Sequence, residues 1–203
     1  ASTFGCSMVV EIGCYDGRAL EVARFSGTRY LGIDTNENAI AQLRERIVDE
    51  RLADLAHAVI GDALDPTGWC DLVVGPKPLH LLPFNLLGNF REPHRLLAAL
   101  SAVGGMAMLS VFNSSRLASE IRHDYYTKCG VVDLRRTITG DGGVLFTGAG
   151  GFYSRSFDET ALQQLLEQCG ATVLRTMRNS VGQCVAVLLG GSGMVTGRGG
   201  DGC

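Results

Sequence analysis

Short apolar runs and amphipathic stretches alternate along most of the chain. Residues 7–12 form a short, mostly apolar run that carries Glu11 and predict a buried parallel strand. Residues 19–25 follow with Leu20, Ala23 and Phe25 spaced to face a sheet, and Asp16 stands where a helix cap is expected. Residues 28–34 form a second apolar run. After Thr35-Asn36-Glu37-Asn38, Ile40, Leu43 and Ile47 recur at helical spacing, so a helix is expected to about residue 53. Strands are expected at 56–61, 71–74 and 106–112, with a helix at 93–102 that presents Leu96, Leu97 and Leu100. Between the last two strands, residues 79–91 read as a long, partly helical connection.

The second half keeps the apolar pattern but changes its order. Helices are expected at 115–125 and 158–168. Between them, residues 131–139 and 144–147 flank Gly140-Asp141-Gly142-Gly143, a hairpin signal. Residues 171–177 and 183–189 lie close in sequence and read as antiparallel neighbours. The strand–helix alternation before them predicts a parallel sheet covered on both faces. At 203 residues the chain reads as a single domain over 1–189, and the Gly-rich stretch 190–203 reads as a flexible tail. The chain enters its first strand almost at once, as a truncated chain or a naturally capless domain would.

Composition narrows the function classes. Hydrophobic residues at 46% and charged residues at 19% support a packed core. A net charge of -3 leaves no basic field for nucleic acid. Seven cysteines form no C-x-x-C pair and read as reduced thiols, and the four histidines show no metal-ligand spacing with them, so no metal is expected. Neither a secretory signal nor a run of the ~20 apolar residues of a membrane span is visible. A soluble cytoplasmic protein, monomer or homodimer, is the expectation.

Chemistry concentrates in Val10-Glu11-Ile12-Gly13-Cys14-Tyr15-Asp16-Gly17. A strand turning on glycine into a helix brings backbone N–H groups and an open strand end to a ligand. Asp34 ends the second apolar run 23 residues after Glu11, a spacing suited to ribose hydroxyls; the alternative is a helix cap. Glu11 precedes the turn where a pyrophosphate site has an apolar residue. A carboxylate there suits a ligand carrying a cation; the alternative is a carboxylate bonded to neighbouring backbone.

With Gly32-Ile33-Asp34, Gly61-Asp62-Ala63, Asp71-Leu72-Val73-Val74 and Gly104-Gly105, this set resembles the class I S-adenosylmethionine-dependent methyltransferases over about residues 8–189. The resemblance implies a Rossmann-like three-layer α/β sandwich. Its seven-stranded, mostly parallel sheet has order 3-2-1-4-5-7-6 with strand 7 antiparallel, to which the small β-hairpin is an insertion. It also implies S-adenosylmethionine as cofactor. Gly13, Cys14, Tyr15 and Gly17 would lie along its methionine part with Glu11. Asp34 and Thr35 would meet the ribose, Asp62 and Ala63 the adenine, and backbone near Gly75 the methionine ammonium. Tyr15 departs from the family, which has glycine there.

The implied reaction is methyl transfer to O, N or C of a small metabolite, with secondary metabolism as its setting. His80 and Tyr126 are the candidates for assisting the chemistry, because a histidine or tyrosine can handle a hydroxyl proton. Asn89, Tyr153 and Arg155 are the candidates for holding the acceptor. The rivals are methyl transfer to RNA or protein, an NAD-dependent dehydrogenase, which Glu11 and Asp62 disfavour, and a non-catalytic cofactor-binding domain.

Overall fold

Every residue of Met8–Ile12 (β1) is buried, as expected of an interior strand of the main sheet. The computed structural model describes residues 1–190. The chain continues through Leu20–Ser26 (α1), Arg29–Asp34 (β2), Glu37–Asp49 (α2), Ala56–Ile60 (β3), Pro78–Leu82 (β4), Leu86–Asn89 (α3), Pro93–Val103 (α4) and Met106–Phe112 (β5). Arg116–Lys128 (α5) leads to a separate three-stranded antiparallel sheet of Arg135–Ile138 (β6), Val144–Thr147 (β7) and Tyr153–Arg155 (β8). Glu159–Gln168 (α6), Thr172–Arg178 (β9) and Gly182–Leu188 (β10) complete the described chain.

The main sheet runs β3-β2-β1-β4-β5-β10-β9. All pairings from β3 to β5 are parallel, while β10 is antiparallel to both β5 and β9. This is the expected order. The expected hairpin carries a third strand, and the part of the expected tail at 191–203 lies outside the described residues. No helix among the described residues is long and apolar enough to cross a membrane.

Helices cover both faces because their apolar stripes match those of the strands. On one face α1 and α2 bury Leu20, Ala23, Ile40, Leu43 and Ile47 with Val9 and Tyr30. On the other, α4 and α6 bury Leu96, Leu97, Leu100, Leu162 and Leu166 with Val10, Ile12 and Leu31. Phe25, expected to face the sheet, is 96% exposed at the end of α1. Side-chain caps begin three helices: Asn36 accepts from Ala39 N, Ser115 from Ala118 N and Asp158 from Thr160 N. Asp16 does not cap α1. Glu11 Oε2 instead takes the Ala19 N–H at 3.0 Å.

The fourth strand lies elsewhere than expected. Asp71-Leu72-Val73-Val74 is not a strand: Pro66–Gly68 and Cys70–Leu72 are short 3₁₀ turns, the first capped by Asp65. The strand is Pro78–Leu82, and it contains His80. Two residue types disguised it, a proline, which a strand tolerates at its first position, and a histidine in its middle.

Candidate functional site

The C-terminal ends of β1 to β5 come together at one edge of the sheet, where ligands enter open α/β folds. There Gly13 N and Cys14 N both donate to Ile33 O, at 2.8 and 3.1 Å, and Gly61 N donates to Asp34 O at 3.0 Å. The backbones leaving β1, β2 and β3 therefore form one continuous row.

Glu11 is 2% exposed. Its Oε2 accepts from Ala19 N and, at 2.7 Å, from Tyr30 Oη, tying β1 to α1 and β2. Oε1 has no protein partner among the described residues, and Glu11 lines a cavity. Burial pushes its carboxyl pKa up, while the Tyr30 and Ala19 donors pull it down. The alternative reading of Glu11, a carboxylate bonded to neighbouring backbone, holds for Oε2, and Oε1 is left for a ligand. Cys14 beside it is inert, its thiol pushed up to about 12 by burial and by the Glu11 and Asp34 charges.

Asp34 accepts Tyr15 N on Oδ2 and Asn36 N on Oδ1, both at 2.9 Å. Asp62 Oδ1 accepts Leu64 N at 2.8 Å, and Ala63 is buried beside it. Each carboxylate oxygen offers two lone-pair sites, so both groups keep capacity for a ligand's donors. Thr35 is exposed just past β2. Gly17 suits its place by conformation: its φ is +75°, and a Cβ there would also press on Leu43 Cδ1. From the far side Arg46 clamps the turn, Nη1 donating to Asp16 O and Gly17 O at 3.2 and 3.1 Å.

A cavity of about 940 Å³ opens beside this row. It is bounded by the β1 turn, by Pro83, Phe84 and Asn89 after β4, by one face of α5, and by Phe152 and Tyr153 near β8. Of the residues singled out in the sequence, Glu11, Gly13, Cys14, Tyr15, Asn89, Tyr126 and Tyr153 line it together. Asp34, Thr35, Asp62 and Ala63 do not line it and belong to the strand ends at its side. Hollows of about 370 and 390 Å³ beside β9 and β10 hold none of the predicted residues.

Three candidates lie away from the cavity. His80 is fully buried in β4, with Nε2 2.9 Å from Gly104 O and its ring edge-on to Trp69. Burial pushes its pKa down to about 4 against that carbonyl. A histidine sealed in the sheet and held neutral cannot take a proton from an acceptor. Gly75 lies at the opposite edge, where its Cβ would strike Ser7 before β1. The misplaced fourth strand caused that error, since the backbone leaving β4 at the ligand edge is Pro83-Phe84-Asn85. Arg155 forms an ion pair with Asp141 and lies over Phe157, 5.2 Å from the ring centre, so it turns away from the cavity.

Tyr126 lines the cavity, yet its hydroxyl is built into the protein. Phe112 N donates to Asn85 Oδ1 at 3.0 Å, which fixes that amide and leaves Asn85 Nδ2 to donate to Ser154 Oγ. Arg122 Nη2 also donates to Ser154 Oγ, so the serine proton goes to Tyr126 Oη, 2.6 Å away. Tyr126 Oη is thus an acceptor here, with Arg122 Nε at 3.4 Å as a further donor. Arg122 is fully buried and also donates to Val144 O and Ser154 O, at 3.0 and 2.6 Å. Neither Arg122 nor Asn85 stood out in the sequence. The available signal was an Arg122–Tyr126 pair four residues apart on a helix face that also carries Ala118.

No protein-family model and no curated protein matches the chain. Solved structures do. A 1,6-didemethyltoxoflavin-N1-methyltransferase of Burkholderia thailandensis with bound S-adenosylhomocysteine is 16% identical, with 91% of this chain and 71% of that chain covered and a TM-score of 0.63. An S-adenosylmethionine-dependent methyltransferase of Methanosarcina mazei is 18% identical, with 90% and 92% covered and a TM-score of 0.59. An O-methyltransferase of neocarzinostatin biosynthesis, with S-adenosylhomocysteine and 1,4-dihydroxy-2-naphthoic acid, is 16% identical, with 90% and 49% covered and a TM-score of 0.63. At these identities the likeness establishes the fold, which is the one the sequence motifs implied.

Proposed function

We propose that the chain transfers a methyl group from S-adenosylmethionine to an oxygen, nitrogen or carbon of a small acceptor, with secondary metabolism as its setting. The observation that carries this reading is the row of carboxylates at the strand ends. Glu11 Oε1, Asp34 and Asp62 offer, in order, a partner for an ammonium, for a diol and for an amino group. Glu11 sets a buried carboxylate where the glycine turn of a dinucleotide fold would meet a pyrophosphate, which disfavours a dinucleotide. The fold shared with the methyltransferases above supports the same reading.

When bound, the cofactor supplies a sulfonium already activated for transfer. The chain's part is then positioning, which can contribute several kcal/mol to the barrier on its own, up to ~7–11 for well-aligned reactants. Glu11, Gly13 and the Tyr15 backbone would fix the methionine end, Asp34 and Thr35 the ribose, and Asp62 with Ala63 the adenine. The acceptor would enter the cavity between the turn and α5, with Asn89 and Tyr153 on its walls. Of the two catalytic candidates, Tyr126 is the one at the cavity. Its oxygen already accepts from Ser154 and Arg122, which leaves its own proton to donate.

Calorimetry with S-adenosylhomocysteine and with NAD tests the reading. Binding of the first and not the second is expected, and the reverse would overturn it. A screen of metabolite pools for mass gains of one methyl then finds the acceptor. Tyr15 supports a second reading, a cofactor-binding domain without catalysis, because its side chain stands where the family has none. Turnover in the methyl screen would exclude that reading.

A further inference from the structure

Seven of the seventeen residues that line the cavity carry aromatic rings. Tyr15, Phe84, Phe112, Tyr125, Phe152 and Tyr153 line it together with Tyr126. Three of them are left in water: Tyr15 is 57% exposed, Phe84 69% and Tyr125 60%. Tyr15 and Phe84 also hold left-handed backbone, at φ 45° and 50°, a conformation that bulky side chains rarely adopt. They stand just past the ends of two adjacent strands, β1 and β4.

Neighbouring contacts enforce both conformations. Tyr15 N is held by Asp34 Oδ2. Beside Phe84, Asn85 N donates to Ser110 O at 2.8 Å, and the Asn85 side chain is fixed by Phe112 N and Arg155 O. Strain of this kind, over-determined by its surroundings, gathers at ligand clamps.

We propose that this cavity takes a planar aromatic acceptor, gripped by Tyr15, Phe84 and Tyr125. The proposal rests on the methyl-transfer reading and names its substrate class. Aromatic rings favour offset or edge-to-face contact with other rings beyond the area they bury, and a saturated molecule of the same size gains only the area. Adenine does not account for the rings, because Asp34, Asp62 and Ala63 lie outside the cavity. Charge does not define the site either: Arg18 at its rim pairs with Asp16 at 3.4 Å and lies 5.3 Å from the Phe84 ring centre.

The test is calorimetry on the full chain with naphthol and with its saturated counterpart, decahydronaphthol, with and without saturating S-adenosylhomocysteine. Naphthol is expected to bind about tenfold tighter, the worth of one good aromatic pair. That preference should collapse in Phe84→Leu and in Tyr125→Leu, the latter a surface helix position where leucine folds well. Equal affinities for the two alcohols, or a preference that survives both substitutions, would overturn the clamp. Binding of S-adenosylhomocysteine without a naphthol preference sinks this proposal alone. A naphthol preference in a chain that ignores S-adenosylhomocysteine sinks methyl transfer and keeps the aromatic site.

Discussion

At the ends of β1, β2 and β3 carboxylates hold the structure together; beside β7 and β8 the buried guanidinium of Arg122 plays that part. Glu11, Asp34 and Asp62 each accept at least one backbone N–H, stapling turn to strand and strand to helix. Arg122 joins no ion pair among the described residues and spends its donors on Val144 O, Ser154 O, Ser154 Oγ and Tyr126 Oη. Burial lowers its pKa, against the pull of Tyr126. A carboxylate that staples backbone keeps lone pairs for a ligand, so holding the fold and holding a molecule can share one group. A buried guanidinium has only donors, all facing protein. The first region is thus frame with lone pairs left for the ligand proposed above, whereas at the second the network is frame and the aromatic side chains around it line the cavity.

The sharpest test of that contrast is Arg122→Met. Each orphaned buried acceptor costs ~1–3 kcal/mol, partly offset by removing a poorly compensated cation, so a loss of about 4 kcal/mol in chemical denaturation is expected. Amide exchange should speed up in β6, β7 and β8 and stay unchanged in β1, β2 and β3. A uniform rise across both regions would break the distinction.

His80 lies under the first region and gives the next largest effect. Its folded pKa of about 4 is below the ordinary 6.5, so the unfolded chain takes up a proton first as pH falls. The neutral histidine's contribution is therefore whole above pH 6.5 and is lost on the way down to about pH 4. Over the whole window the loss is about 3 kcal/mol. Glu11, whose pKa is raised, acts in the opposite sense in acid. Denaturation against pH in His80→Met isolates the histidine, and an unchanged profile would mean that the imidazole titrates freely.

Asp34→Asn probes the double role of a carboxylate directly. It should weaken S-adenosylhomocysteine binding by at least about tenfold, and it should also lower stability by about 1 kcal/mol as Tyr15 N loses its acceptor. A change in only one of the two would separate site from frame. The smallest effect is expected from Tyr15→Gly. Relief of left-handed strain gives ~1–2 kcal/mol, and glycine's greater unfolded freedom takes back ~0.5–1, leaving a gain of about 0.5 kcal/mol in denaturation midpoint measurements. A loss of stability would show that the tyrosine ring, and not only its backbone, supports the turn.

The two regions also differed in how far their sequence could be read. The first is local. Glu11, the glycine turn and Asp34 lie within 24 residues, and the glycines and the strand-end carboxylate mark the turn. The second depends on contacts between distant segments. Ser154 in β8 meets Asn85 from the turn after β4 and Arg122 and Tyr126 from α5, and no periodicity marks that meeting. His80 was read as a base for the same reason: a histidine after an apolar run looks like a loop residue until its neighbours are known.

The sequence by itself determined the order and kind of most elements, the cofactor-type turn, and the carboxylates at the strand ends, because hydrophobic period and glycine punctuation are properties of neighbours in the chain. Only the tertiary structure decided that the fourth strand is Pro78–Leu82, that His80, Gly75 and Arg155 lie away from the cavity, and that aromatic residues from the turns after β1 and β4, from β5 and α5, and from in and beside β8 converge on it. Those facts turn on which strand fills the place between β1 and β5, and that choice is made by packing in three dimensions.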